Sequence, residues 1–288
     1  MKDDPKTLVS TEWLAAHLKD PDLRILDASM PPVGCGPEAK GSTKAAYDNA
    51  HIPGARFFDI DEISDHRSEL PHMAPPVEKF MSRLRAMGVG DGHQVVVYDS
   101  AGLFSAARVW WLLRLMGQNN VAVLDGGLPK WQAEGLPLED LPPVIRDRHM
   151  TVRVQNHLVR DATQVSSASK LRDHEIIDAR AAERFRGDQP EPREGLRAGH
   201  IPRSRNVPFK SLLTAAGTMK DPDQLRTIFE EAGVDLSKPA ITTCGSGVTA
   251  AILCLALERM GKTDYSLYDG SWAEWGAFPT LPIATGEE

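Results

Sequence analysis

The chain has 288 residues, of which 41% are hydrophobic and 25% charged, and its formal net charge is −7. This acidic balance disfavours nucleic acid or an anionic membrane as a main partner. The three cysteines have no CxxC spacing, so neither a disulfide framework nor a zinc site is predicted. The first residues, MKDDPKTLVS, lack the apolar stretch of a signal peptide, and no run could span a bilayer, so we expect a cytoplasmic protein.

The chain contains two copies of one sequence unit. LRILDAS, HIPG and LDGG in the first half correspond to HEIIDAR, HIPR and YDGS in the second, and Trp131 corresponds to Trp275. Corresponding residues lie between 144 and 151 positions apart, and such a steady spacing indicates a duplicated structural unit. We therefore predict an N-terminal domain at 5–136, a proline-rich and charged linker at 137–156, and a C-terminal domain at 157–284.

Short β-branched runs alternate with helical patterns in both copies. Strands are predicted at 95–98 and 240–243 and helices at 105–116 and 249–260, each helix followed by a glycine suited to a C-terminal cap. Strand, tight loop, helix, strand is the pattern of a parallel sheet with crossover helices. The sequence thus predicts the α/β class, with two tandem domains that are each a mainly parallel sheet flanked by helices.

Residues 242–251 read TTCGSGVTAA and join the second predicted strand to its helix. Gly245 and Gly247 allow the backbone to curl into a nest, in which several N–H groups point inward, and the helix start adds its positive dipole end. A nest stabilises an anion, which Cys244 can supply as a nucleophilic thiolate. The corresponding loop of the first copy reads DSAGLFSA, with Asp99 in place of the cysteine. Only the second copy therefore keeps a nucleophile.

The other cysteines and the repeated motifs are interpreted as structural. Cys254 lies inside the apolar segment LCLAL and is assigned to the core, whereas Cys35, in PPVGCGPE, is assigned to a loop. The HIP segments at 51–53 and 200–202 occur in both copies, including the copy without the loop cysteine, so their histidines are predicted to serve turns and packing. Tryptophans are predicted in the core at five positions: Trp110, Trp111, Trp131, Trp272 and Trp275.

Together these features resemble the tandem-domain rhodanese family, in particular the bacterial-type 3-mercaptopyruvate sulfurtransferases. The resemblance covers residues 8–282 and includes CGSGVT as the active loop, HIPGARFFDID at 51–61 and YDGSWAEWG at 268–276. It implies that sulfur from 3-mercaptopyruvate is carried as a persulfide on Cys244 and that pyruvate is released. It also implies a thiol acceptor such as thioredoxin, with cyanide as a substitute, and no metal or organic cofactor. The second HIP is followed by Arg203, where the family has glycine.

The resemblance assigns roles to individual side chains. Ser246, His72 and Asp61 would act together to supply a proton to the departing enolate. Arg184 and Arg193, nine positions apart in RFRGDQPEPR, would bind the substrate carboxylate. The rest of the loop would contribute to substrate binding through Gly245, Gly247, Val248 and Thr249.

The choice of sulfur donor leaves alternatives open. Thiosulfate sulfurtransferases typically have basic residues just after the cysteine, as in CRKGVT, whereas Gly245 and Ser246 carry no charge, which favours a monocarboxylate. A thiosulfate:cyanide sulfurtransferase and a relay module with a protein donor remain alternatives. A cysteine phosphatase would need an arginine six residues after the cysteine, where this chain has Ala250.

Overall fold

A computed structural model describes residues 2–31 and 41–287 of the chain. Cys35, predicted to be a loop thiol, lies outside these residues. The chain forms two compact units, and each contains a five-stranded sheet whose neighbouring strands are all parallel. This confirms the predicted α/β class with two parallel sheets.

The first unit comprises Met1–Asp65, Ala74–Gln155 and Thr214–Met219. Its strands are β1 (Leu8–Val9), β2 (Leu23–Asp27), β3 (Ala55–Phe57), β4 (Gln94–Tyr98) and β5 (Val121–Leu124), in the sheet order β1-β5-β4-β2-β3. Its helices are α1 (Thr11–His17), α2 (Ser42–Asn49), α3 (Ile60–Ile63), α4 (Val77–Ala86), α5 (Ala106–Leu115) and α6 (Gly127–Ala133). The predicted linker groups with this unit through Gln155, and its stated limits stay a prediction, as do those of the two domains.

The second unit comprises His66–Met73, Asn156–Leu213 and Lys220–Glu288. Its strands are β6 (Val159–Arg160), β7 (Glu175–Asp178), β8 (Arg205–Asn206), β9 (Ala240–Thr243) and β10 (Tyr265–Tyr268), in the order β6-β10-β9-β7-β8. Its helices are α7 (Ala162–Leu171), α8 (Ala182–Arg186), α9 (Pro222–Glu231), α10 (Ala250–Arg259) and α11 (Ser271–Trp275), with 3-10 turns at Asn156–Leu158 and Phe209–Leu212. Strand β9 pairs with β7 and β10 and is therefore central.

The local sequence patterns locate these elements closely. The predicted strand at 240–243 coincides with β9, and the predicted helices at 105–116 and 249–260 each exceed α5 and α10 by one residue at either end, where the caps lie. Gly117 (φ 92°) and Gly261 (φ 83°) follow these helices in the left-handed conformation that was predicted. The five tryptophans are buried, which confirms their assignment to the core, and Cys254 is buried as well.

The HIP histidines have structural hydrogen bonds. His51 and His200 are both buried, and a ring nitrogen of each contacts a backbone carbonyl, that of Tyr47 at 2.7 Å and that of Phe185 at 2.8 Å. This confirms their predicted packing role. Among the described residues, no helix is both long enough and apolar enough to cross a membrane.

Three residues of the second unit have a left-handed backbone where the corresponding residue of the first unit is glycine. This conformation costs a residue with a side chain roughly 1–2 kcal/mol, so something else in the fold must hold each one there. The pairs, at the spacing of the repeat, are His72 (φ 61°) with Gly217 (76°), Arg203 (65°) with Gly54 (77°), and Ser271 (49°) with Gly127 (54°). These three positions mark where the second unit gains a side chain at the expense of backbone strain.

Candidate active site

The loop Cys244–Thr249 starts directly after the central strand β9 and leads into α10. Ligands of parallel α/β sheets bind at this end of the strands. Cys244 is reduced and only 2% exposed. Gly247 has the positive φ (76°) that was predicted for the curled loop.

Gly245, unlike Gly247, does not have a left-handed backbone. The reason for glycine here is space. A Cβ at this position would lie 3.2 Å from Nη2 of Arg184 and 3.7 Å from Nη1 of Arg193. Glycine thus leaves room for the Arg184 guanidinium group beside the backbone next to Cys244, whereas the distance to Arg193 is an ordinary van der Waals contact.

The start of α11 holds the loop in place. Backbone N–H groups of Trp272 and Ala273 donate to the carbonyls of Cys244 and Gly245, each at 2.9 Å. Ser271 Oγ accepts the Cys244 N–H at 3.3 Å and donates to the Tyr268 carbonyl at 2.8 Å. The strained residue Ser271 therefore contacts the nucleophile's own backbone, which Gly127 in the first copy has no side chain to do.

Ser246 is hydrogen-bonded to two of the predicted site residues. His72 Nδ1 lies 3.0 Å from Ser246 Oγ, and Arg193 Nη2 donates to the same oxygen at 3.4 Å. His72 reaches this position because residues 66–73, although encoded in the first copy, belong to the second unit. The structure thus brings Ser246, His72 and Arg193 together at the loop of Cys244.

A buried ion-pair network orients Arg184. Its Nη2 donates to Glu191 at 2.5 Å, and the other Glu191 oxygen accepts from Arg180 Nη1 at 2.8 Å. Glu191 is only 2% exposed in its side chain, and Arg180 is in turn bound by Asp178 at 2.7 Å and lies over the Trp272 ring at 4.3 Å. Glu191, which is itself held by Arg180, thus fixes the position of Arg184. The Arg184 side chain remains 20% exposed.

The other predicted site residues occupy different settings. Asp61 lies in the first turn of α3 in the first unit and is exposed. Val248 is buried, and Thr249 immediately precedes α10. No group of three or more potential metal-ligating side chains occurs within 2–31 and 41–287.

The corresponding loop of the first unit shows what the nest binds. The buried carboxylate of Asp99 accepts backbone N–H groups from Ala101, Phe104, Ser105 and Ala106 at 2.8–2.9 Å. In the second unit, the N–H groups of Ser246 and Thr249 occupy the positions of Ala101 and Phe104, and neither makes a hydrogen bond within the described part of the chain. The nest of the first unit is filled by the Asp99 carboxylate. The nest of the second unit has N–H donors available for a bound anion.

Sequence reasoning did not identify three residues that shape the site: Ser271, Glu191 and Arg180. The sequence did contain a signal for Ser271. LDGG of the first copy corresponds to YDGS of the second, so Ser271 replaces Gly127. Glu191 and Arg180 gave no local signal, since charged residues are usually solvated.

Comparisons with known proteins agree with this architecture. The profile of the Rhodanese-like domain matches residues 10–134 and 161–278. The chain is 44% identical to a 3-mercaptopyruvate sulfurtransferase of Escherichia coli over 96% of both chains, and 40% identical to a thiosulfate sulfurtransferase of Rattus norvegicus over 94% of this chain and 92% of that one. The crystal structure of the Escherichia coli 3-mercaptopyruvate sulfotransferase SseA matches with a TM-score of 0.84 at 42% identity, over 93% of this chain and 99% of that one.

Proposed function

This chain belongs to the rhodanese family, among the 3-mercaptopyruvate sulfurtransferases, and from that premise we propose that it moves sulfur from 3-mercaptopyruvate through Cys244 to a thiol acceptor and releases pyruvate. The observation that carries the proposal is the position of Arg184 and Arg193 beside Gly245. Two guanidinium groups next to an uncharged loop suit a donor with one carboxylate close to its sulfur.

In the first half-reaction, the Cys244 thiolate attacks the sulfur of 3-mercaptopyruvate. An Sγ–S bond forms, the C3–S bond breaks, and its electron pair passes to the carbonyl as the enolate of pyruvate. Protonation of that enolate at C3 gives pyruvate, and Cys244 retains the sulfur as a persulfide. The enzyme must therefore bind the carboxylate, supply one proton and stabilise the new persulfide.

The nest has the right size for a persulfide. In Asp99, the atoms that accept the N–H groups are carboxylate oxygens, three bonds from Cα. The outer sulfur of a Cys244 persulfide is also three bonds from Cα, so it is the atom that corresponds to those oxygens. The N–H groups of Ser246 and Thr249, which make no hydrogen bond within residues 2–31 and 41–287, can then stabilise its negative charge.

Ser246 and His72 are the proposed source of the proton. Their hydrogen bond at 3.0 Å connects a hydroxyl on the nucleophile's loop to an imidazole, the side chain that serves most often as a general acid or base. Asp61 is proposed as the third member on the strength of the family resemblance. Its substitution by Asn tests this role separately from the Ser246–His72 contact.

In the second half-reaction, an acceptor thiolate attacks the outer sulfur and restores the Cys244 thiolate. We propose a small redox protein such as thioredoxin as the acceptor, with cyanide able to replace it and give thiocyanate. A cytoplasmic location would supply such reduced thiols. Sulfur transfer from persulfidated Cys244 to purified thioredoxin, compared with transfer to glutathione, tests this choice.

The test of the proposed function is pyruvate release from 3-mercaptopyruvate with a thiol acceptor, measured beside thiosulfate with cyanide. We expect 3-mercaptopyruvate to be the better donor and Cys244→Ser to abolish turnover. Arg184→Gln should lower kcat/KM roughly 10–100-fold, as the loss of a charged hydrogen bond predicts. Arg186→Gln is the matched control, because Arg186 lies two residues away and pairs only with Asp188 and Glu287 among the described residues.

Thiosulfate is the second candidate donor, favoured by the 40% identity to the rat thiosulfate sulfurtransferase. A higher kcat/KM for thiosulfate would overturn the preference for a monocarboxylate. If neither small donor transfers sulfur but Cys244 accepts it from a protein persulfide, the chain is a relay module.

A further inference from the structure

A cavity in the second unit, separate from the active loop, is lined mainly by basic side chains. Its volume is about 320 Å³, within the range of small-molecule sites. The basic lining residues are Arg172, His174, Arg203, Arg205 and Lys238. The chain as a whole has a formal net charge of −7, so the sign of the charge in this cavity is opposite to that of the whole protein.

The cavity lies at the opposite edge of the sheet from Cys244. Glu175 begins β7 and Arg205 begins β8, and Lys238 comes two residues before β9, so the cavity is at the amino-terminal ends of these strands. Cys244 follows the carboxyl end of the four-residue strand β9. At ~3.3 Å per residue the two sites are more than about 10 Å apart, so a ligand here would not overlap the sulfur donor.

Backbone strain singles out Arg203 among the residues of this cavity. His72 and Ser271, two of the three residues that replace a left-handed glycine of the first unit, both contact the active loop. Arg203 is the third, and it lines this cavity instead. Arg172, also on the lining, is left-handed (φ 60°) because it caps the C-terminal end of α7. The strain kept at Arg203 points to a use for its side chain.

The polar contacts of the lining leave a net positive cavity. Arg203 Nη1 donates to the carbonyls of Ser169 and Lys170 at 2.9 and 3.1 Å, which offsets the negative end of α7. Lys238 Nζ lies 3.6 Å from Glu175, the acidic residue of the lining, and 3.9 Å from Asp235. His174 Nδ1 lies 2.8 Å from Asp173. The side chain of Arg172 makes no hydrogen bond or ion pair within the described ranges.

The corresponding cavity of the first unit has a different character. Its arginines, Arg24 and Arg56, donate to backbone carbonyls, and two acidic residues, Asp20 and Glu139, share the lining with them. The linker residues 142–144 also line it. The surplus of cations therefore belongs to the second copy alone.

We propose that this cavity of the second unit is a binding site for a small tetrahedral dianion of the phosphate or sulfur-oxyanion type. Arg172, Arg203 and Lys238 would supply charged donors, a combination suited to such oxyanions. The site is independent of the proposed sulfur transfer. Sulfur transfer by Arg172→Gln should accordingly equal that of the wild type.

Calorimetric titration of the full chain tests the proposal, with inorganic phosphate and sulfate as separate probes at constant ionic strength. Saturable binding of phosphate alone or of sulfate as well distinguishes the two kinds of oxyanion. Arg172→Gln should weaken binding at least about tenfold, the effect of losing a charged hydrogen bond. Arg203→Gly should do the same and still fold, because Gly54 adopts the same conformation in the first copy.

Two controls separate this site from other positive charge. Lys210→Gln, at an exposed lysine of the same unit, should leave the affinity unchanged. Binding should persist when Arg184 and Arg193 are both replaced by Gln, since those groups serve the active loop. Loss of binding in that double variant, unchanged affinity in Arg172→Gln and Arg203→Gly, or no binding of either anion would each overturn the proposal.

Discussion

Substitutions of Ser271 should affect the stability of the protein and its activity differently. Its left-handed backbone costs roughly 1–2 kcal/mol, while its Oγ makes two hydrogen bonds, to the Cys244 N–H and the Tyr268 carbonyl, that contribute about 0.5–1.5 kcal/mol each. In Ser271→Gly the relief of strain offsets the lost hydrogen bonds, so the free energy of unfolding should stay within about 1 kcal/mol of the wild type. Ser271→Ala keeps the strain and loses the bonds, and should be less stable by about 1–3 kcal/mol.

Both variants should be poor catalysts, because neither can accept the hydrogen bond from the Cys244 N–H. We expect kcat/KM for 3-mercaptopyruvate to fall about tenfold or more in each, since small displacements of a reacting group are costly. Urea unfolding gives the stabilities and pyruvate release the activities, with Ser237→Ala as a surface control. Full activity in Ser271→Gly would refute the positioning role, and equal stability losses in the two variants would refute the strain argument.

Two further predictions concern buried acids of the first unit. Asp99→Ala should lower the free energy of unfolding by at least about 3 kcal/mol, measured in urea, because four backbone N–H groups lose their acceptor; a loss below about 1 kcal/mol would contradict this. Burial raises the pKa of Asp27 above its ordinary value. The folded chain then keeps a proton that the unfolded chain has released, so this residue lowers stability as pH rises through that window. Asp27→Asn should therefore gain stability relative to the wild type as the pH rises above about 4, the ordinary pKa of an aspartate; a difference that is constant with pH would exclude the effect.

The fold was predictable because its signals are local or repeated. β-Branched runs and terminal glycines locate β9 and α10 to within a residue, and the steady spacing of motifs reveals two copies. The reason for Gly245 was not predictable, since it depends on two guanidinium groups that approach from another part of the chain. The spacing of the repeat carries no information about such contacts.

Most residues of the candidate site could be named from the sequence, but several of the contacts that hold them in place could not. The loop of Cys244 follows from physics, whereas Arg184 and His72 came from family resemblance, and their roles stay predictions. Glu191 was missed because its burial arises from tertiary packing around Arg180, which no local pattern encodes. The strain at Ser271 becomes visible only when backbone angles are compared between the two copies.

The placement of segment 66–73 affects whether the two sequence copies can be separated or recombined. It is encoded before the linker, yet it folds with the second unit and carries His72 to Ser246. A fragment that begins at the second copy would contain the nucleophile without this histidine. Recombination at the linker would join the cysteine loop of one parent to the histidine segment of another, so an exchange of halves would also exchange one partner of the Ser246–His72 contact.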